Sequence, residues 1–435
     1  MTSVPGHPVL RNAVPVVVRP RPGADVTSVS VWLLLGSRHE TAPGVTHLLE
    51  HVLMQAVPPG RRMRVVDELE SLGAEANAVT ARDHLALYAR VPSPEAAAAL
   101  RILADGLTNT SFPAELVDAE RRVVDEELRL AAADPADIVH DVFFATAFAG
   151  QRMGAPVGGS PAAVARLTPT DLTAWAGGTV RSGTVGAVVS GDLNPDEVLD
   201  VLDGGPLGAL PVGQPPPEPP ARPTHGRAHA ELSGDTAAVI VGGHGFAMDD
   251  PRLPALEVLI ELLAGGNASV LHEEIRSRRG LSYDLWGMAT GYRDTGVWRI
   301  GMSTAPEHRD EVVELATGLI AGAAARGFDA EQVALARRRV AALLCLDAES
   351  SLDEALRLGQ HRLVGRDPSW TLRRHADSLH SVEATDVAEC ARTVLERFVV
   401  ATAGGGAARP VTEVDQRQRE EGTWNATLLP VAGPR

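Results

Sequence analysis

An internal repeat limits how this chain can fold more than any other feature of its sequence. The segment that begins at Phe112 recurs from Phe328 with the same Phe-x-Ala-Glu start and a matching Arg-Arg pair. The segment Pro43–His51 overlays Pro254–Leu262, and the two pairs of segments are separated by nearly the same distance along the chain. Self-similarity at two places with nearly equal offsets predicts two copies of one folding unit.

The length of the chain supports the same division. With 435 residues the chain exceeds the usual size of one hydrophobic core, so two domains of about 200 residues are expected. Near position 210 the sequence becomes so rich in proline that it can pack neither as a helix nor as a central strand. We therefore predict a first domain over 1–207, a linker over 208–226, a second domain over 227–404 and a tail over 405–435.

Two further local patterns give expectations that the structure can test. Val14–Arg19 and Val26–Leu35 are rich in β-branched residues and flank a turn-like segment, so they are predicted to form a hairpin. The chain has only two cysteines, Cys345 and Cys390, which cannot form a disulfide framework. Because Cys345 lies in an apolar helical segment, we expect it to be a buried free thiol.

The pattern HxxEH occurs at His47, Glu50 and His51, inside a segment predicted to be helical over residues 44–56. Spacings of three and four residues place all three side chains on one helix face. Two imidazoles one turn apart can share a zinc ion, and a carboxylate beside them can take a proton from the water that the metal activates. This is the inverted zincin arrangement.

A catalytic zinc site needs a third protein ligand, and a second predicted helix, over 112–130, offers candidates. Its Glu120 and Glu127 are two helical turns apart and therefore lie on one face. In the second copy of the repeat, their places are taken by Ala336 and Leu343. The helices persist there without the ligands, so the fold alone does not require them, although an ordinary solvated acidic face stays an alternative for the two glutamates.

The HxxEH pattern, the length of chain between His51 and Glu127 and the Arg-Arg-Val-Val run before Glu127 resemble the M16 metallopeptidases. The resemblance implies an α+β fold of two homologous domains, each an antiparallel-rich sheet with helices on one face, as in the LuxS/MPP-like proteins. It implies that such a chain forms half of a clam-shaped peptidase chamber. It also implies one Zn²⁺ per chain bound by His47, His51 and Glu127, with Glu50 as general base and Glu120 as a supporting catalytic carboxylate.

Three more residues match positions that bind substrate in this family. Arg276 and Tyr283 lie in an Arg-x-x-Arg-Gly-Leu-x-Tyr context, and the resemblance implies that they grip the substrate backbone and that the Tyr283 phenol stabilises the developing oxyanion. Asn77 lies in a predicted edge strand, to which an extended peptide could add as one more strand. Asn77 is implied to contact that peptide, and a turn-forming role at the strand end stays an alternative.

Charge and hydropathy exclude several classes of protein. The formal net charge of −16 argues against a nucleic-acid partner. No apolar run approaches the length of a membrane span, and the first part of the chain contains no signal-peptide core, so we expect a cytoplasmic protein without a membrane partner.

The expected function is that of a zinc-dependent endopeptidase that acts on peptides. A homodimer would complete the enclosure, and a heterodimer with a paralogous subunit stays open. So do two functions of another class, a non-catalytic structural or assembly subunit and a module that only binds peptides. Maturation of a leader peptide and general peptide degradation fit the sequence equally well.

Overall fold

The computed structural model describes residues 8–215 and 220–405. Backbone contacts divide these residues into two compact units, each assembled from three stretches of chain. Most of the tail predicted over 405–435, from residue 406 onward, and residues 216–219 of the predicted linker lie outside the described residues. The first unit contains 8–128, 157–215 and 346–371, and the second contains 129–156, 220–345 and 372–405.

A five-stranded sheet forms the centre of the first unit within the described part of the chain. Its order is β1-β5-β2-β4-β3, with β1 parallel to β5 and the other neighbours antiparallel. The predicted hairpin of the first two strands is wrong, because β5 lies between them; every residue of β5 is buried, as suits an inner strand. The strands are β1 (Val16–Pro20), β2 (Val26–Leu33), β3 (Glu75–Thr80), β4 (Leu85–Pro92) and β5 (Val185–Gly191).

The sheet of the second unit repeats this topology strand for strand. Its order is β6-β10-β7-β9-β8, again with one parallel pair, β6 with β10, at the corresponding edge. The predicted fold class, two homologous α+β domains with antiparallel-rich sheets, is therefore confirmed. The strands are β6 (Gly226–Ala230), β7 (Ala237–Gly245), β8 (Leu285–Gly291), β9 (Gly296–Thr304) and β10 (Val399–Gly404).

Helices surround both sheets, and their boundaries follow the repeat. The long helix α4 begins at Ala114 and its counterpart α11 begins at Ala330, so the two helices are separated along the chain by the same offset as Phe112 and Phe328. Short π-helical segments over Glu261–Gly265, His272–Arg278 and Gly359–Val364 occur in the second half of the chain. The helices are α1 (Val45–Gln55), α2 (Val65–Ser71), α3 (Ala96–Leu107), α4 (Ala114–Ala133), α5 (Pro135–Ala147), α6 (Pro161–Val164), α7 (Pro169–Thr179), α8 (Pro195–Asp203), α9 (Leu253–Ile260), α10 (Arg309–Arg326), α11 (Ala330–Asp347), α12 (Ser351–Leu358), α13 (Leu372–Ser381) and α14 (Ala384–Val394).

Both faces of the first sheet carry helices, which differs from the predicted single helical face. Successive residues of a strand point to opposite faces. Val29 and Val31 of β2 belong to the core formed with α1 and α3, whereas the hydroxyl of Ser28 contacts that of Ser351 on α12 at 2.7 Å. In the second unit, Val239 and Val241 pack with α9 and α10, and the alternate residues of β7 pack with α5. Each sheet therefore lies between two helical layers.

The second helical layer explains why the compact units are not contiguous in sequence. Helix α5 follows α4 in the chain but buries Phe143 and Phe144 against the sheet of the second unit. Its counterpart in the repeat is α12, because the starts of α5 and α12 are separated along the chain by the same offset as Phe112 and Phe328. Helix α12 packs on β2 and β5 of the first unit. The predicted division at the linker assigned each helix to the half of the chain in which it occurs. In the structure, the apolar face of each of these two helices packs on the sheet of the other half, so the units differ from that division.

The two cysteines differ from expectation. Cys345 is exposed on α11, so the predicted buried thiol is wrong, because the buried stripe of this helix runs through Ala341 and Leu344 instead. Cys390 on α14 is buried, and burial raises the pKa of its thiol to about 12. Among the helices that the structure describes, none has both the length and the apolar character that crossing a membrane requires.

Candidate metal centre

Helix α1 presents the HxxEH residues on the side opposite its buried face. Leu48, Leu49 and Val52 are buried in the core of the first unit. Gly44, whose φ of 84° suits glycine, immediately precedes the helix, and the carboxylate of Glu40 accepts hydrogen bonds from the backbone N–H groups of Gly44 at 2.7 Å and Thr46 at 3.1 Å. A buried carboxylate at the positive end of the helix dipole fixes where α1 starts, and hence where its histidines lie.

Helix α4 supplies two carboxylates to the same place. It is held by the buried side chains of Val117 and Val124, which are two turns apart. Glu120 and Glu127 have the same spacing on another face, so both reach toward α1. The Glu120 side chain is only 14% exposed and that of Glu127 is 52% exposed. The two carboxylates therefore occupy different environments, one enclosed and one open.

The ring nitrogens of both histidines converge on Glu127. Its carboxylate oxygens lie 3.7 Å from His47 Nε2 and 3.3 Å from His51 Nε2. One potential ligand atom from each of the three residues can be chosen so that all lie within 4.8 Å of one another. The other ring nitrogen of His51, Nδ1, lies 3.5 Å from an oxygen of Glu120. The sequence-predicted ligands thus come together, and Glu120 lies behind one of them.

These residues fit a zinc ion. Ligands at about 2.0–2.1 Å in tetrahedral geometry are roughly 3.3 Å apart. The Glu127 oxygens lie 3.3 Å from His51 Nε2 and 3.7 Å from His47 Nε2, close to that value. Burial lowers the pKa of His47, partly offset by the charges of Glu50 and Glu127, so its imidazole favours the neutral form that binds metals. Glu120 beside His51 Nδ1 can orient that ring, as outer carboxylates do for metal-ligating histidines.

Glu50 has a hydrogen-bond partner that the sequence analysis did not identify. The hydroxyl of Thr80, the last residue of β3, donates to Glu50 Oε2 at 2.5 Å. Burial raises the pKa of Tyr88 on the neighbouring strand β4, and the negative charge of Glu50 raises it further. Thr80 closely follows Asn77, but its contact with α1 depends on the strand and the helix packing together, which no local pattern indicates.

Asn77 lies on β3, which is an edge strand of the first sheet as predicted. Its side chain is exposed, and its Oδ1 accepts a hydrogen bond from the backbone N–H of Ala78 at 2.8 Å. Among the described residues, no strand pairs with the outer edge of β3. This edge is therefore open to an additional strand. A contact between Asn77 and a peptide stays a prediction.

Arg276 and Tyr283 lie in the second unit and contact each other there. The guanidinium carbon of Arg276 lies 5.1 Å from the centre of the Tyr283 ring, within cation–π range. Tyr283 stands in the loop just before β8, rather than within the strand, and is 85% exposed. The pairing of the two side chains is thus observed, and their role toward a substrate stays a prediction.

The corresponding place in the second repeat has a different composition. The histidine positions hold Val258 and Leu262, and the position of Glu50 holds Glu261. Glu261 is largely buried and pairs with Arg339 Nε at 2.6 Å, so a guanidinium compensates its charge. Among residues 8–215 and 220–405, one group of histidine and acidic side chains is arranged as a metal site, and it is the one in the first repeat.

The HxxEH helix with a carboxylate from a second helix, on a duplicated α+β fold, makes a candidate metal centre with the spacing of the inverted zincin pattern. The chain belongs to peptidase family M16. The family model "Insulinase (Peptidase family M16)" matches residues 15–160, and the model "Peptidase M16 inactive domain" matches residues 166–340.

The relatives agree with this assignment, and a solved structure has a similar fold. The chain is 28% identical over 404 residues to an uncharacterized zinc protease of Streptomyces coelicolor, covering 88% of this chain and 85% of that protein. It is 27% identical over 409 residues to an uncharacterized zinc protease of Mycobacterium bovis, covering 90% and 91%. The fold is similar to the crystal structure of a peptidase M16 inactive domain from Pseudomonas fluorescens, with a TM-score of 0.83, 20% identity and coverage of 93% and 98%.

Proposed function

We propose that this chain is a zinc-dependent endopeptidase that cleaves extended peptides. One observation carries the proposal: potential ligand atoms of His47 and His51 on α1 and of Glu127 on α4 lie within 4.8 Å of one another, and Glu50 lies on the same face of α1 as the two histidines. The names of the relatives, which are called zinc proteases, support the same chemistry.

The chemistry divides among five residues of the first unit. A zinc ion held by His47, His51 and Glu127 would polarise the scissile carbonyl and make water a better nucleophile. Glu50 would take a proton from the attacking water and pass it to the leaving amine. Glu120 would keep the His51 ring oriented through Nδ1.

The substrate would be an extended peptide, because only an exposed backbone can pair with an edge strand. Such a peptide would add to β3 beside Asn77. Arg276 would hold the peptide backbone, and the exposed phenol of Tyr283 would donate a hydrogen bond to the developing oxyanion. Two chains would enclose the peptide in a chamber, most simply as a homodimer, and a paralogous partner would serve the same purpose. The physiological substrate could be a specific precursor or a mixture of peptides.

The decisive experiment compares the wild type with Glu50→Gln. The amide keeps the shape of the side chain but cannot take a proton, so we expect peptide hydrolysis to fall by about 10²–10⁴-fold. Zinc content, measured by elemental analysis, should stay at one ion per chain. Glu70→Gln, at an exposed position of α2, is the matched control and should retain activity.

A peptide library read by mass spectrometry would identify the cleavage sites, and a stable globular protein should be spared under the same conditions. Near-normal turnover by Glu50→Gln would contradict the proposal. A wild type that holds zinc and retains peptides without cutting them would be a peptide-binding module, and one that binds neither would be a non-catalytic subunit.

A further inference from the structure

The strand that borders the open edge of the first sheet also contacts Glu50. Thr80 ends β3, and its hydroxyl donates to Glu50 Oε2 at 2.5 Å. Among the described residues, this is the hydrogen bond that the Glu50 carboxylate accepts. A hydroxyl that donates to a carboxylate makes a charge-assisted bond, which is stronger than a bond between neutral groups.

Alternate side chains of β3 point to opposite faces of the strand and have different surroundings. Ala78 belongs to the core shared with α1, and Thr80, at the next position of the same parity, points to the same side. Asn77 and Val79 occupy the opposite side and are exposed. The backbone of β3 pairs with β4 along one edge, and its other edge is the outer edge of the sheet.

We propose that Thr80 is a positioning residue for Glu50, an inference that rests on the proposed peptidase function. A glutamate side chain has several rotatable bonds, and a misplacement of about 1 Å at a reacting group can cost about 10²-fold in rate. The hydroxyl of Thr80 holds one carboxylate oxygen, Oε2, and leaves Oε1 to accept the proton from water.

Strand addition makes this placement useful. A peptide paired with β3 takes its position from the backbone of that strand, and Glu50 takes its position from the side chain of the same strand. The same strand therefore positions both the scissile bond and Glu50, so any shift of β3 moves both together. Asn77 and Thr80 should then have separable effects, the first on substrate binding and the second on the chemical step.

The test uses the full-length zinc-loaded protein and two substitutions at one position. Thr80→Val keeps the shape of the side chain and removes the hydroxyl, whereas Thr80→Ser keeps the hydroxyl. We expect kcat of Thr80→Val to fall by about 10–100-fold, with KM within about twofold of wild type and full zinc content. Thr80→Ser should recover most of kcat. Thr108→Val is the control, because it removes a hydroxyl that donates to the Ala104 carbonyl at 2.7 Å at the end of α3.

A second measurement does not depend on activity. Melting temperatures of Thr80→Val, Glu50→Ala and the double variant, all without metal, form a cycle that reports the contact itself. The melting shift of the double variant should be smaller than the sum of the two single shifts. Additive shifts would overturn the contact.

Kinetic outcomes separate the alternatives. Unchanged kcat in Thr80→Val, or an effect confined to KM, would overturn the positioning role, and so would a variant that loses zinc. If the wild-type protein binds zinc and cleaves no peptide at all, the proposed function fails, and the melting cycle alone then decides whether Thr80 restrains Glu50.

Discussion

His51 lies between two carboxylates of α4, and each carboxylate lies beside a different nitrogen of its ring. Nε2 faces the open Glu127, and Nδ1 faces the enclosed Glu120. A ring that binds a metal through Nε2 carries its proton on Nδ1, and a carboxylate can accept a hydrogen bond from that N–H group. Glu127 is thus the candidate ligand, and Glu120 is positioned to orient the ring of His51.

Replacing Glu127 by Gln should lower the zinc content of the purified protein. The amide presents a neutral oxygen in place of an anionic ligand, so the affinity for the metal falls while the shape of the side chain is kept. Elemental analysis after dialysis against buffer at neutral pH measures the effect. Glu126→Gln changes an exposed neighbour on the same helix and should retain one zinc per chain. Equal zinc content in both variants would remove Glu127 from the ligand set.

Gly158 limits the space beside the His47 ring. A Cβ at this position would lie 2.7 Å from Leu128 Cδ2 and 3.2 Å from His47 Nδ1, so the leucine or the ring must move. We expect Gly158→Ala to weaken zinc binding by about 10-fold, the lower end of the range for outer-shell changes. Competition with a chromogenic chelator measures the affinity.

Gly177 in α7 is the matched control for that substitution, because a Cβ there would meet nothing within 4 Å. Gly177→Ala should leave zinc affinity unchanged and raise stability by about 0.5–1 kcal/mol, since alanine favours the helix. A Gly158→Ala protein with wild-type zinc affinity would show that the His47 ring is free to move.

At the scale of elements, the second repeat contains a buried histidine where a π-helical segment meets β8. His272 is 7% exposed, and its Nε2 lies 3.1 Å from the carbonyl oxygen of Leu285, the first residue of β8. The nitrogen donates to that carbonyl when it carries the proton. Burial lowers the pKa of His272 below its ordinary value of 6.5.

This shift predicts a direction for stability against pH. The unfolded chain takes up the proton first, so as pH falls below about 6.5 the folded state loses stability until the folded-state pKa is passed. Melting temperatures at pH 7.5 and 5.5 should therefore differ less in His272→Gln, which keeps a donor but does not titrate, than in the wild type. His308→Gln, with a side chain that is 45% exposed, is the control and should leave the difference unchanged. An equal difference in all three proteins would exclude His272 as a contributor.

At the scale of the whole molecule, the two units share a topology, but among the residues that the structure describes only one has the candidate metal ligands. The proposed zinc residues lie in the first unit and the Arg276–Tyr283 pair lies in the second. If a symmetric dimer forms the chamber, each proposed active site would combine zinc residues of one chain with the pair from the other.

Two inactive variants should then complement each other. Glu50→Gln and Tyr283→Phe, mixed under conditions of subunit exchange, should recover about a quarter of wild-type activity, because half of the dimers are mixed and each mixed dimer has one intact site of two. Native mass spectrometry confirms the exchange. Exchange without recovery would mean that each site is built within one chain or that the partner is another protein.

The sequence alone was sufficient for features that depend on local spacing. The helix that carries His47, Glu50 and His51, the second helix with Glu127 and the duplication of the folding unit all follow from periodicity and self-similarity. A residue pair at three, four or seven positions on a helix shares a face whatever the rest of the chain does.

Tertiary structure alone decided which distant segments meet. It placed β5 between β1 and β2, put α5 and α12 on sheets that their neighbours in sequence do not cover, and brought the Thr80 hydroxyl to Glu50. Each of these contacts joins segments that are far apart in the chain and depends on how buried apolar faces pack, so no local pattern specifies it. The two candidate histidine ligands could therefore be predicted from spacing and Glu127 from the family resemblance, whereas the contact between Thr80 and Glu50 could be found only in the folded chain.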